Sequence, residues 1–516
     1  MSDAPSRSFV RTFWLSAGPL LGFALTVLAL PEWATDIVKA GFSAITESPV
    51  GGLWQGFLLL YFVVAIGLAI SPWGKAKLGG EVTPEMDRLR WLAVILCTLL
   101  AGGGVFWSAA EPMYHFTSPP PFFGASAAAG TAEMAPRALA QCHLHWGFLA
   151  WAVVGTLAAV AVSAARTLYG EPLRPRALLL PLLGRPARGW LGDLADAVSI
   201  IAVVAGTVGP IGFLALQLSY AAHELAGLPD ALATRLVLLG ALVLLYTASA
   251  ASGLDKGIQW LSRLNVGLAL GLGVVLLLVG PSPFVVKTFF SSMAIYAENI
   301  VPMALYRGDT GWLSYWTVFY WGWSIGYGSM MAIFVARVSR GRTVREVVLT
   351  VAIAAPLVTN LWFTALGGTG IAVDLASPGS VSAPLKEAGL GAALLATIEQ
   401  LPGTALLVPA FLVLIFCFLA TTGDSVAYTI SVVLSGQDTP PKKLRIFWAV
   451  AMGVLAALLL SLGAGGIDAL QQFIVVTALP VFVLLLPTLV TGPAGAHSLL
   501  QAERAASTAD DPAPSA

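Results

Sequence analysis

The sequence predicts an all-α integral membrane protein of twelve transmembrane helices. Spans three to seven and eight to twelve form two inverted five-helix repeats, with helices three and eight broken. Three observations predict this. Of 516 residues, 57% are apolar and only 10% are charged, where a soluble domain carries about 25% charged residues. Twelve stretches approach the roughly twenty apolar residues needed to cross a bilayer. Glycine clusters inside the third and the eighth lie five spans apart, and an odd offset makes two helices cross in opposite directions, as an inverted repeat requires.

The spans are expected near 11–31, 51–72, 89–110, 138–165, 191–217, 232–251, 257–280, 312–336, 345–370, 403–434, 444–464 and 467–492. Residues 1–10 form a cytoplasmic N-terminus, 11–494 a single transporter domain, and 495–516 a short disordered cytoplasmic tail rich in Ala, Ser, Pro and Asp. The N-terminal MSDAPSRSFVRTF runs into the first apolar stretch without a small-residue cleavage pattern, so that stretch reads as an uncleaved span. The segment 284–308, with Lys287, Glu298, Asn299 and Arg307, is too polar to cross and reads as an interfacial helix on the outer face. Cys97, Cys142 and Cys417 all fall in apolar stretches and read as small buried hydrophobes, not a disulfide framework.

Charge orients the chain. With the N-terminus inside, 21 of the 27 basic residues fall on cytoplasmic pieces, densest at Arg166 to Arg188 and at Arg337, Arg340, Arg342 and Arg345. That asymmetry supports an even number of spans with both termini in the cytoplasm of an inner or plasma membrane protein. The formal net charge is zero, so nothing draws the chain to nucleic acid. The sequence shows no nucleotide loop, nucleophile–base pair or metal-ligand cluster, which argues against a pump or an enzyme.

The two breaks are chemically useful. Ala101-Gly102-Gly103-Gly104 interrupts span three, and Gly322, Gly326 and Gly328 loosen span eight; each glycine costs a helix about 1 kcal/mol relative to alanine. Freed N–H groups hold a carboxylate and freed carbonyls coordinate a cation, so Ala101, Gly102 and Gly103 are candidate substrate contacts. The alternative is that these glycines let neighbouring helices approach closely.

Aromatics gather at the same depth. Span four holds His143, His145, Trp146 and Trp151; span eight holds Trp316, Phe319, Trp323 and Tyr327, with 316, 323 and 327 on one helical face. Electron-rich ring faces attract a poorly hydrated cation such as a quaternary ammonium. Trp312 and Trp316, near the outer end, also suit interfacial anchoring, which Trp146 and Trp323 suit poorly.

From roughly residue 10 to 490 the chain resembles the betaine/choline/carnitine transporter family. The matching runs are Glu111-Pro112-Met113-Tyr114, His145-Trp146, Gly253 to Gln259 (GLDKGIQ), Tyr320 to Trp323 (YWGW), Ala336 to Glu346 (ARVSRGRTVRE) and Thr421 to Ser425 (TTGDS). The resemblance implies two inverted five-helix repeats preceded by two extra helices, a homotrimer, and a small zwitterionic or cationic trimethylammonium cargo. It implies that Trp146, Trp151, Trp323 and Tyr327 wall the substrate. Two departures widen that box: Ser324 stands where members usually have a second tryptophan, and Val154 where betaine carriers have an aromatic. Each lost ring removes roughly 0.5–2 kcal/mol of cation–π attraction, which leaves room for an unusual betaine, a sulfonium analogue or another compatible solute.

For coupling, the resemblance implies sodium between the hydroxyls of Thr421 and Thr422 and carbonyls of the first broken helix; sodium favours such oxygen ligands. A second sodium position keeps Thr207 but has Val203 and Met330 where betaine carriers hold a hydroxyl and an aromatic. Met331 resembles the sodium-independent exchangers, yet Asn265 stands where those carry an arginine. Sodium symport is the expectation, with exchange or proton symport the alternatives, and no cofactor is implied beyond that ion. Asp424, the deepest carboxylate, is paired either with an arginine or with a proton. Glu111 reads as a helix-end residue, and the 337–345 arginines as positive-inside residues that also pair with inner acids such as Asp193 or Asp196. A channel would need matching polar rings along a pore, and the osmosensing relatives carry a long basic tail; a carrier for osmoprotection fits the residues better than either.

Overall fold

Each apolar stretch read from the sequence is helical over most of its described residues, but several helices are divided, and the divisions build the site. The computed structural model describes residues 7–80, 82–100, 103–124, 126–252, 255–437, 439–462 and 467–509, and side chains throughout these except at 97–100, 249–263 and 507–509. The N-terminal elements are α1 (Arg7–Ala29), α2 (Pro31–Thr46), α3 (Pro49–Ile70), α4 (Arg88–Leu100) and α5 (Gly103–Thr117). Next come α6 (Met134–Trp146), α7 (Phe148–Gly155), α8 (Leu157–Tyr169), the single turn α9 (Leu180–Leu183), α10 (Trp190–Ala226), α11 (Leu232–Ser252), α12 (Asp255–Val279) and α13 (Ser282–Ala304). The second half holds α14 (Thr310–Tyr315), α15 (Thr317–Val338), α16 (Val344–Leu349), α17 (Ala355–Ala376), α18 (Ser382–Ala388), α19 (Ala393–Glu399), α20 (Thr404–Ser435), α21 (Lys442–Leu460), α22 (Ile467–Leu485) and α23 (Thr488–Ala509). No strand occurs among the described residues, only an isolated antiparallel bridge between Lys77 and Thr343.

Eight helical runs are long and apolar enough to cross a membrane. α12 and α13 add a pair bent by 111° around Gly280 and Pro281 that is, taken together, also long and apolar enough to cross. α10 is the longest helix, 37 residues and mostly enclosed, or about 55 Å at the helical rise. α15 is not among the eight, since its Trp, Tyr, Ser and Gly residues lower its hydropathy; it lies enclosed against α7, α10 and α22.

Local chemistry fixes the ends. Ser48 caps α3 by accepting from the Val50 N–H with Pro49 at the first turn. Asp309 accepts from the Trp312 N–H, 2.9 Å, to start α14. Thr343 and Glu346 form a reciprocal capping box at α16.

Three expectations are corrected. α15 runs unbroken through Gly322, Gly326 and Gly328. These glycines serve packing: a Cβ on Gly322 would lie 2.6 Å from the Trp54 ring, and one on Gly328 2.7 Å from Leu485. The division of this span falls at Trp316 instead, and span four is divided at Gly147 and Thr156. The Thr156 hydroxyl bonds back to the Ala152 carbonyl at 2.7 Å, a contact that bends helices. Last, α23 extends over 488–509, covering most of the stretch expected to be disordered. Its Ala496 and Leu499 are buried, and its contact with α8 outweighs the Ser- and Ala-rich composition.

Candidate substrate and ion site

The division of span four aims the last residue of α6, Trp146, at the enclosed helix α15. Its ring meets Trp323 edge to face, centroids 5.7 Å apart at 75°, and lies 5.2 Å from Tyr320 and 5.0 Å from Phe363 of α17. Trp323 stacks on Phe319 at 5.7 Å and approaches Phe213 of α10 at 6.1 Å. Two glycines make the space. A Cβ on Gly103, at the start of α5, would fall 2.5 Å from the Trp323 ring; one on Gly206 would fall 2.3 Å from the Tyr327 ring. The indole of Trp323 donates to the Gly206 carbonyl at 3.0 Å, and the Tyr327 hydroxyl bonds Thr207 Oγ1 at 3.0 Å. Both rings are thereby pinned to α10.

Behind Trp146 stands a buried polar cluster. Glu111 Oε2 accepts from the Trp146 indole at 2.7 Å, and Oε1 bonds His145 Nδ1 at 2.5 Å. His145 Nε2 meets Gln141 and Thr317, each at 2.9 Å. His115 lies 3.4 Å from Glu111. One ligand atom from each of Glu111, His115 and His145 falls within 4.8 Å of the others.

Of the sequence candidates, Trp146, Trp323, Tyr327, Gly103 and Thr207 come together. Trp151 is buried on α7 but makes no ring contact among the described residues. Ser324 is half-buried and its hydroxyl is spent on the Tyr320 carbonyl at 3.0 Å. Met331 is buried further along α15. Ala101 and Gly102 lie outside the described residues. Thr421 donates to the Cys417 carbonyl at 2.7 Å and meets the Asn265 amide at 3.4 Å, leaving Asn265 Oδ1 buried without a partner; Thr422 is buried beside it. Two hydroxyls and an orphaned amide oxygen are a donor set that fits a hard monovalent cation.

Several other residues depart from expectation. Glu111 is no helix-end residue but fully enclosed in α5. Trp316 is buried against Tyr114 and His115, centroids 4.5 Å from each, not at a lipid interface. Asp193 and Asp196 pair with Arg11 and Arg176, not with the arginines of 337–345; Arg345 instead donates to the Ala69 carbonyl at 2.7 Å. Asp424 has its arginine, Arg445, at 3.1 Å. Trp107, fully buried between Phe213, Trp316 and Tyr320, has no signal in the sequence, because its partners come from α10, from α15 and from the break before α15.

The divided helices thus gather an enclosed aromatic cluster backed by a buried polar one, and the chain has relatives of known kind. The model for betaine/carnitine/choline family transporters (BCCT) matches residues 11–498. The chain belongs to the betaine/carnitine/choline transporter family. As a family member it is 48% identical over 488 residues to glycine betaine transporter 2 of Vibrio parahaemolyticus, across 94% of this chain and 90% of that protein. It is 33% identical over 483 residues to the ectoine/hydroxyectoine transporter of Virgibacillus pantothenticus, across 92% and 94%. The glycine betaine transporter OpuD of Bacillus subtilis is 31% identical over 481 residues, across 92% of each chain. This BCCT member is therefore a membrane transporter and not an enzyme.

Proposed function

We propose that the chain is a sodium-coupled secondary carrier of a betaine-like or quaternary-ammonium compatible solute. It works by alternating access through twelve spans arranged as two inverted five-helix repeats. The observation that carries the cargo class is the edge-to-face pair Trp146 and Trp323, 5.7 Å apart, with Tyr320 and Tyr327 beside it. Such ring faces favour a cation whose methyl groups demand no hydrogen bonds. The relatives that transport glycine betaine support the same class. The carboxylate of the cargo is assigned to the N-terminal end of α5 at Gly103, the end at which a helix favours negative charge.

Sodium is assigned to Thr421 and Thr422, with Asn265 Oδ1 able to complete the oxygen set. Asp424 is tied to Arg445 and is not the group we assign to a proton. Thr207 bonds Tyr327, so we place it in the substrate wall as well as near a second ion. A cyclic compatible solute is the second reading: Ser324 offers no ring, and one relative is an ectoine/hydroxyectoine transporter. We further assign the chain to a cell membrane as a homotrimer with both termini cytoplasmic.

Uptake of labelled glycine betaine, choline and carnitine into proteoliposomes, with and without an inward sodium gradient, tests this. Sodium-driven accumulation is expected, and Thr421→Ala should raise the sodium concentration for half-maximal uptake several-fold. Flux that requires internal substrate and ignores sodium would replace symport by exchange. No flux of any of the three, with uptake of ectoine, would move the cargo to the cyclic class.

A further inference from the structure

We propose that Glu111 is the counter-charge of the aromatic box, acting through the indole of Trp146 to make the box select for charge as well as shape. The proposal rests on the quaternary-ammonium reading above. Glu111 is completely enclosed, and each of its carboxylate oxygens faces one ring N–H: Oε1 that of His145 at 2.5 Å, Oε2 that of Trp146 at 2.7 Å. The Gln141 amide nitrogen donates to His145 Nε2, so Nδ1 carries the proton that His145 gives to Glu111. Two oxygens accepting from two donors is the arrangement of an ionised carboxylate.

No lysine or arginine stands within ion-pair distance of Glu111 among the described residues; the titratable groups around it there are His115, at 3.4 Å, His145, Tyr320 and Cys142, none of them a fixed cation. A carboxylate without a fixed cation is costly at this depth. The box lies on the other side of the same indole, where Trp146 meets Trp323. An N–H bonded to an anion pushes electron density into its ring, so the Trp146 face is more negative than that of a free indole. A cationic head against that face feels both the ring quadrupole and the carboxylate behind it. A neutral group of the same shape feels neither. Ser324 contributes no ring to the box; Glu111 contributes charge in its place.

The test uses the purified full chain and two ligands that differ only at the quaternary centre. Glycine betaine carries a trimethylammonium group; 3,3-dimethylbutanoate has the same carboxylate with a tert-butyl group instead. Binding is read by tryptophan fluorescence and calorimetry. Glu111→Gln keeps an acceptor for the indole but loses the charge, and should weaken glycine betaine about tenfold, the scale of one cation–π contact. It should leave the isostere nearly unchanged, which also shows the variant folded. On a Trp146→Phe background, which lacks the N–H, the same change should not alter the preference further. An equal loss for both ligands would reduce Glu111 to a shaping role and overturn the proposal. If Glu111→Gln binds neither, Glu111→Asp, which keeps the charge, must restore part of the preference; failure of both variants overturns the proposal too. Wild-type protein that binds no trimethylammonium compound overturns the quaternary-ammonium reading itself, a result separate from any variant.

Discussion

Gly103 and Trp323 show how much one atom decides in this chamber. The start of α5 approaches the box so closely that a single methyl at position 103 would stand 2.5 Å from the far edge of the Trp323 ring. The clash is with the end of a side chain, so the Trp323 ring must turn off its bond to the Gly206 carbonyl while the backbone holds. Alanine is also the better helix former, by about 1 kcal/mol. Gly103→Ala should therefore weaken substrate binding several-fold while leaving the thermal unfolding midpoint unchanged or higher. A fall in midpoint with affinity intact would show that the box lies elsewhere. Trp146, Trp323, Tyr327 and Thr207 were legible from residue type and family motifs, because a ring on a membrane helix needs a reason. Glu111 was not, since the donors that explain it arrive from α6, 34 and 35 positions away. Nor could spacing show that the Ser324 hydroxyl turns back onto its own helix.

At the scale of elements, the helices were legible and their interruptions were not. Hydropathy and about twenty residues suffice to announce a span, and each of the twelve stretches is helical over most of its described residues. A glycine in a span signals either a break or a close neighbour, and only the neighbour's side chain tells which. At Gly328 it is the neighbour: a Cβ there would sit 2.7 Å from the Leu485 side chain and 3.1 Å from the Val153 carbonyl, so the Leu485 side chain and the α7 backbone would both have to give. Gly328→Ala should lower stability by about 1–3 kcal/mol, the usual cost of overpacking, with the ligand preference retained; the contrast with Gly103→Ala separates packing glycines from chamber glycines. A polar junction behaves differently again. Arg176, in the loop before α10, bonds Asp196 at 2.6 Å and Asp193 at 2.8 Å, and both acids are fully enclosed. Arg176→Ala leaves Asp196 with the backbone N–H of residue 176, at 2.8 Å, and no closer cation among the described residues than Arg174, at 4.0 Å. Stranding a buried charge costs about 3–5 kcal/mol, so the variant's thermal midpoint in detergent should fall well below that of Arg176→Lys, which keeps the charge. Equal midpoints would show that Arg11 and Arg174 carry the junction without it.

Over the whole molecule, the polar contacts sort themselves by side. The loop after α3 meets the loop after α15 through the Leu78 N–H to the Arg342 carbonyl and the Gly341 N–H to the Leu78 carbonyl. Arg88 pairs with Glu346 at 2.9 Å, and the Lys77 N–H reaches Glu503 of α23 at 2.7 Å. All of these segments belong to the pieces that the basic residues assign to the cytoplasm. At the opposite end Arg307 reaches Gln55 and the Thr46 and Ser48 carbonyls, and Gln55 reaches the Ala304 and Tyr306 carbonyls, joining pieces assigned to the outside. If the sorting is membrane sidedness, cysteines placed on the two sets must label from opposite faces. Arg340, Lys386 and Gln501 are exposed and outside the chamber, so each can be replaced by cysteine after Cys97, Cys142 and Cys417 are changed to serine. A membrane-impermeant maleimide should modify Lys386→Cys in intact cells, and Arg340→Cys and Gln501→Cys only in inside-out vesicles. Labelling of 340 and 386 from one face would remove the crossing made by α16 and α17. Labelling of 501 from the outside would make the number of spans between 340 and the C-terminus odd, and the inverted repeat with it untenable.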